Sequence, residues 1–356
     1  MPVDPTNMQI ANRKIRDIRS AFGRVNRKGT KRSIVRNTSK GFAKKADLRS
    51  HFQGVARRDD HAYLTLSGKV DGALFLSLQR GHNFVYDTRE TIVGYNHPGG
   101  IQTIGEYVAV PVYGSSHGDA KVLIYDRDLS RFSEHALVDS KAFCLGIANI
   151  DYRDGHGERY IMAVVSRSDG SRIDFYHSQP GEDLASRGVT FEQFGRWRWT
   201  RPRGQRSNEF FGHANSISLV VDEKEKLYLL GLHTIPKSKK LSKVVRKLLG
   251  GDHITGTGLG KDRAELFRVD LDLANIGNAS TAKPVDVGLE RLAVKKCKCH
   301  KAAFRFGASA RVTEVDTMEF IACEAELLKV HPKKVQIDLF TPSAVGNRAG
   351  LYRRRP

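Results

Sequence analysis

His51-Phe52-Gln53-Gly54-Val55-Ala56, followed after a turn by Tyr63-Leu64-Thr65-Leu66-Ser67, is the first copy of a pattern that the chain repeats five times. A small, glycine-containing polar start runs into one strand, and a second hydrophobic strand follows. The second copy is His97-Pro98-Gly99-Gly100-Ile101-Gln102 with Tyr107-Val108-Ala109-Val110, and the third is Phe143-Cys144-Leu145-Gly146-Ile147 with Tyr160-Ile161-Met162-Ala163-Val164-Val165. Gly212-His213-Ala214-Asn215-Ser216-Ile217 with Leu227-Tyr228-Leu229-Leu230-Gly231 is the fourth, and Phe306-Gly307-Ala308-Ser309-Ala310 with Met318-Glu319-Phe320-Ile321-Ala322 the fifth. Repeats at this spacing point to sheets arranged about one axis.

A third strand follows each pair: Ala73–Leu78, Lys121–Asp126, Arg172–Tyr176, Glu265–Asp270 and Val335–Phe340. All are rich in β-branched and aromatic residues. Weaker fourth strands fall at Thr91–Val93, His135–Val138, Thr190–Phe194 and Pro284–Val287. Three or four strands per unit, five times over, predict an all-β, five-bladed β-propeller over 51–356. Such rings close by completing one blade from both chain ends, and Ser33-Ile34-Val35 is the expected outer strand of the fifth.

The openings His51-Phe52-Gln53-Gly54 and His97-Pro98-Gly99-Gly100-Ile101-Gln102 resemble those of a class of uncharacterised bacterial proteins with propeller-like sequences. The resemblance covers roughly residues 51–342. It implies the fold and the importance of the openings, and no activity.

Charge is the strongest compositional fact. The 356 residues carry 59 Lys and Arg against 39 Asp and Glu, a net +20. Residues 1–50 hold 14 basic residues and 3 aspartates, so 14 − 3 = +11 lies in a basic N-terminal arm. Such a balance suits an anionic small molecule, a phosphorylated ligand, nucleic acid or an anionic surface. Within the arm, residues 7–22 read as an amphipathic helix capped by Asn7, with Ile10, Ile15, Ile18 and Phe22 on one stripe, expected to dock on the domain. A second basic helix, with lysines and arginines over 237–247, is expected in an insertion at 236–261 of blade four. No apolar run reaches the length of a membrane span, and the start lacks a secretory core. With four cysteines, too few for a disulfide scaffold, the expected compartment is cytoplasmic.

In a propeller the first strand of each blade lines the channel, so polar residues at the openings converge. His51, Gln53, His97, Gln102, His213, Asn215 and Arg305 are therefore the expected ligand-binding set. No cofactor and no metal is assigned. A glycosidase is disfavoured, because the openings carry no carboxylate pair. The alternative functions are a hydrolase with a His-rich channel site, with or without a metal, and a nucleic-acid-binding protein using the arm. Cys297-Lys298-Cys299-His300 lacks the two-residue gap of zinc knuckles and reads as an exposed basic loop, with Lys295, Lys296, Lys298 and Lys301 around it. Gly256–Asp262 fails the P-loop pattern at both ends. Trp197 and Trp199, between arginines, fit an outer strand with its tryptophans packed between blades.

Overall fold

The computed structural model describes residues 14–35, 51–114, 119–137, 141–152, 157–166, 171–184, 189–199, 216–236, 260–271, 284–304, 307–314, 316–324 and 334–343. These are almost wholly β. The insertion at 237–259, Asn7 and Ile10, the glycine-rich stretch up to Leu259, and His213, Asn215 and Arg305 lie outside them.

The chain enters through a short helix, α1 (Ile18–Arg24), and strand β1 (Thr30–Val35). The helix is shorter than the sequence pattern predicts. Asp17 is its N-cap, accepting from Ser20 N at 3.0 Å, and Lys14–Asp17 run extended instead. The reason lies in competing partners. Ile15 N donates to Val221 O and Glu223 N to Ile15 O, both at 3.1 Å, while Asp316 Oδ1 accepts from Arg16 N and Asp17 N. The expected docking holds, with Ile15, Ile18 and Phe22 buried and Phe22 against Phe320.

Four-stranded antiparallel groups follow. The first is β2 (His51–Arg58), β3 (His61–Ser67), β4 (Gly72–Arg80) and β5 (Asn83–Ile92). In the second, β6 (His97–Pro98) and β7 (Gln102–Ile104) both pair with β8 (Tyr107–Tyr113), which continues to β9 (Ala120–Asp126) and β10 (Arg131–Ala136). The third is β11 (Cys144–Asp151), β12 (Glu158–Val165), β13 (Arg172–Ser178) and β14 (Phe191–Arg198). In the fourth, β15 (Ile217–Val221), β16 (Leu227–Pro236) and β17 (Gly260–Asp270) are completed by β19 (Gly288–Cys297). The fourth strand expected at Pro284–Val287 is instead β18 (Val285–Asp286), which pairs in parallel with β14. Last come β20 (Ala308–Glu314), β21 (Thr317–Cys323) and β22 (Lys334–Phe340), and β1 lies antiparallel on β22, as Ser33↔Gln336 and Ile34↔Val335. β1 also pairs in parallel with β5, joining the last group to the first.

The apolar residues gather in clusters between successive groups, including last against first. Each group buries both faces on its neighbours, which yields a propeller-like, nearly closed assembly. Trp197 is buried between the third and fourth groups, with Trp199 packed beside it, as the alternation predicts.

The inner strands touch around the axis. A Cβ on Gly54 would stand 2.5 Å from Gly99 O, and one on Gly146 would stand 2.7 Å from Leu219 N. The recurrent glycine is there because neighbouring backbones leave no room for a side chain.

Lys295 and Cys297 are not in an exposed loop. β19 runs through both, and Lys295 is buried with its ammonium donating to Gly23 O at 2.8 Å and to Val25 O. It closes the carbonyl end of α1, where helix termini leave unpaired acceptors.

Candidate functional site

The two ends of the axis differ. At the end where the inner strands begin, Gln53 Nε2 donates to His51 Nε2 at 2.8 Å and to Ser67 Oγ at 3.3 Å. Ser67 Oγ lies 2.8 Å from His97 Nδ1 and 2.9 Å from Asn96 O, and the His97 ring stacks on Tyr113 at 5.0 Å. Three expected site residues, His51, Gln53 and His97, are thus brought into one chain of hydrogen bonds. Every role is satisfied when the Ser67 hydroxyl donates to Asn96 and receives from His97, an arrangement that leaves Ser67, fully buried, with no proton to give a base.

Gln102 is not with them. Its Oε1 accepts from both Ile147 N and Leu219 N at 2.9 Å, and its Nε2 donates to Leu219 O at 2.9 Å. One buried amide therefore ties β7 to β11 and β15 and closes the axis at mid-depth. It is a staple that makes three hydrogen bonds to backbone, and it also lines a cavity on its far side.

Beyond this floor, where the inner strands end, is a cavity of about 100 Å³ lined by every inner strand and by the N-terminal segment. Lys14, Arg58, Arg311, Asp59, Asn149 and Thr103 are its polar wall, with Gln102 at its floor. It has room for a few waters or one tetrahedral anion, water occupying about 30 Å³ in the liquid. Outside it lies a shallow, solvent-facing hollow that shares Asp59 and Arg311 and adds Arg57, Asp60, Gln79 and Thr313.

The cations are held from behind. Glu319, buried, receives Arg57 Nη1 at 3.1 Å and Arg311 Nε at 2.7 Å, and Glu106 receives Arg58 Nη2. Asp59 accepts from Arg311 Nη1 at 3.3 Å. Arg58 Nη1 is buried and has no hydrogen-bond partner. Burial lowers both Arg57 and Arg58 from their ordinary value, in Arg57 against the pull of Glu319. Burial would also lower Lys14, but its contacts with Glu225 and Glu158 outweigh that and leave it raised. These are partly desolvated guanidinium and ammonium groups, firmly placed, with a donor to spare. Such an arrangement can bind a phosphate or carboxylate.

No protein-family model matches the chain, and no curated protein matches it. Among solved structures it is similar to Kuenenia stuttgartiensis hydrazine synthase, at 11% identity over 83% of this chain and 84% of that one, with a TM-score of 0.32. A functionally unknown protein from Desulfotomaculum acetoxidans gives 10% identity, 84% and 88% coverage and a TM-score of 0.34. The Dos1 propeller gives 9% identity, 85% and 70% coverage and 0.30. At such identities and TM-scores these likenesses carry no weight for what the chain binds. No helix among the described residues is long and apolar enough to cross a membrane.

Arg58, Asp59, Arg311 and Lys14 were not among the residues the sequence singled out. The repeat draws the eye to strand openings, whereas these sit where inner strands end. The available signal is the charged turn Arg57-Arg58-Asp59-Asp60, interrupting two hydrophobic strands.

Proposed function

We propose that the chain is a five-bladed β-propeller, kin in its openings to the uncharacterised bacterial class it resembles, that binds an anionic group of a small ligand at the mouth where its inner strands end. The single observation that carries this is a cavity whose lining brings Lys14, Arg58 and Arg311 together with one carboxylate, Asp59, and behind whose wall Arg58 Nη1 is buried without a hydrogen-bond partner. A buried donor without an acceptor costs about 1–3 kcal/mol, which an anion would offset on binding. Arg311, fixed by Glu319, supplies the second donor set. The amides and imidazoles of the opposite mouth serve the packing of the first and second blades.

Calorimetric titration with inorganic phosphate at low salt tests the reading. Saturable binding is expected, weakened at least tenfold in Arg58→Lys and Arg311→Lys, which keep the charge but lose the planar fork. Wild-type protein that takes up no phosphate, phosphate ester or carboxylate would end the proposal.

A further inference from the structure

Each turn that leaves an inner strand holds a residue in the left-handed region: Asp59 (φ 45°), Gly105 (φ 54°), Gly157 (φ 96°), Glu225 (φ 62°) and Asp316 (φ 66°). Glycine is the residue that adopts this conformation without strain, and two of the turns use it. Three use an acid instead. For two of them the reason is visible. Glu225 binds Lys14 and accepts from Asp151 N at 3.1 Å, and Asp316 holds Arg16 N and Asp17 N. Both acids anchor the N-terminal segment.

Asp59 anchors no such segment. Its carboxylate is 58% exposed and, among the described residues, meets Arg311 at 3.3 Å and Arg58 at 3.9 Å, while its carbonyl accepts from Arg57 Nε at 2.9 Å; it stands on the wall shared by the small cavity and the wider hollow. A carboxylate placed beside an anion site weakens anion binding by like-charge repulsion, so its presence needs a second purpose. Strain held at a cleft residue points the same way. The hollow around it is lined by oxygen-bearing side chains, Asp59, Asp60, Gln79 and Thr313, of which Gln79 already accepts from Arg57, Thr313 pairs with Thr317 and Asp60 with His61.

Resting on the anion-binding reading above, we propose that the ligand is a phosphorylated polyol, its phosphate on Arg58, Arg311 and Lys14 and its hydroxyl groups donating to Asp59 and the outer hollow. Carboxylates are effective acceptors for sugar hydroxyls, and the split between a small cationic cavity and a larger polar one matches a compact anion on a hydroxyl-rich body.

Titration with inorganic phosphate, glucose 6-phosphate, ribose 5-phosphate, glucose and phosphoethanolamine separates the possibilities. At least one sugar phosphate is expected to bind tenfold or more tighter than phosphate, and free glucose not at all. In Asp59→Asn, sugar-phosphate affinity should fall about tenfold while phosphate affinity rises. Asp59→Gly, which suits the turn and should fold, must lose the sugar preference too. Absence of any phosphate binding overturns the anion-binding mouth itself. Phosphate binding with no gain from either sugar phosphate overturns only the polyol. Tighter binding of phosphoethanolamine overturns it in favour of an ammonium partner for Asp59, and a parallel fall of both affinities in Asp59→Asn makes Asp59 an anchor for Arg311 and overturns it as well.

Discussion

Gly54 on the first inner strand lies so near Gly99 on the next unit that a Cβ added to it would stand 2.5 Å from the Gly99 carbonyl oxygen and 2.7 Å from Thr65 Oγ1. Thr65 Oγ1 already donates to that same carbonyl at 3.0 Å. Neither neighbour can retreat, one being backbone and the other a buried side chain. Gly54→Ala is therefore expected to destabilise by about 2 kcal/mol, the ordinary cost of overpacking. Urea unfolding reads it directly, and a substitution without effect would mean the inner strands do not meet as described.

Gln102 lines the candidate cavity and at the same time ties three inner strands together through their backbone. Gln102→Leu keeps the volume but leaves Ile147 N, Leu219 N and Leu219 O without their side-chain partner at the axis. A loss of about 3 kcal/mol is expected, since orphaned buried amides each cost on the order of 1–3 kcal/mol. Chemical denaturation measures this. Full stability with impaired ligand binding would restore the sequence reading.

The units, their inner three strands and the closing role of Ser33-Ile34-Val35 were legible, because period-two apolar patterns and turn residues report local pairing. β19 was not. Its Lys295 and Lys296 look like loop residues, and only the carbonyl end of α1, some 270 residues earlier, explains a buried lysine there. Gln102 was legible as a polar residue on the axis, where it lines the candidate cavity, but sequence cannot tell that backbone amides already wait for it. The charged residues of the candidate mouth were missed because they share a position after each inner strand rather than a motif.

Asp59 and Asp316 occupy equivalent turns and should respond oppositely to the same change. Asp59→Gly relieves a left-handed φ and should stabilise by up to about 1 kcal/mol. Asp316→Gly relieves the same strain but removes the acceptor for Arg16 N and Asp17 N, and is expected to destabilise by about 1 kcal/mol or more. Thermal melts of the two variants side by side suffice. Equal shifts would show that the acid at the turn is indifferent.

Glu265 is buried, and its two carboxylate oxygens have no hydrogen-bond partner. Burial pushes its pKa up to about 7, against the pull of Arg291 and Arg263. The folded form then holds a proton that the unfolded chain releases near pH 4.5. Stability contributed by this group is complete below that value and is lost as pH rises towards 7, by about 3 kcal/mol at 1.36 kcal/mol per unit. Glu265→Gln should remove this slope and leave the protein more stable than wild type at pH 8. Parallel pH–stability profiles for the two proteins would contradict it.

Residues 51–356 on their own should not behave as a complete domain. Without residues 14–35, β22 loses its antiparallel partner β1, β5 loses its parallel one, and the pocket that receives Phe22, Ile18 and Ile15 is laid open. An unpaired edge beside exposed apolar surface favours association. The fragment is expected to melt well below the full chain and to associate as concentration rises. A synthetic peptide of residues 14–35 should restore the melting temperature, since it carries both the strand and the docked helix. Deleting the arm is consequently a poor test of nucleic-acid binding, because any loss of binding would follow loss of structure. Reversing the exposed charges Arg19, Arg27, Lys28 and Lys31, and sparing Arg16 with its contacts to Glu223 and Asp316, leaves β1 and α1 in place and isolates the electrostatic contribution. A fragment 51–356 that is monomeric and as stable as the full chain would show that β1 does not close the ring.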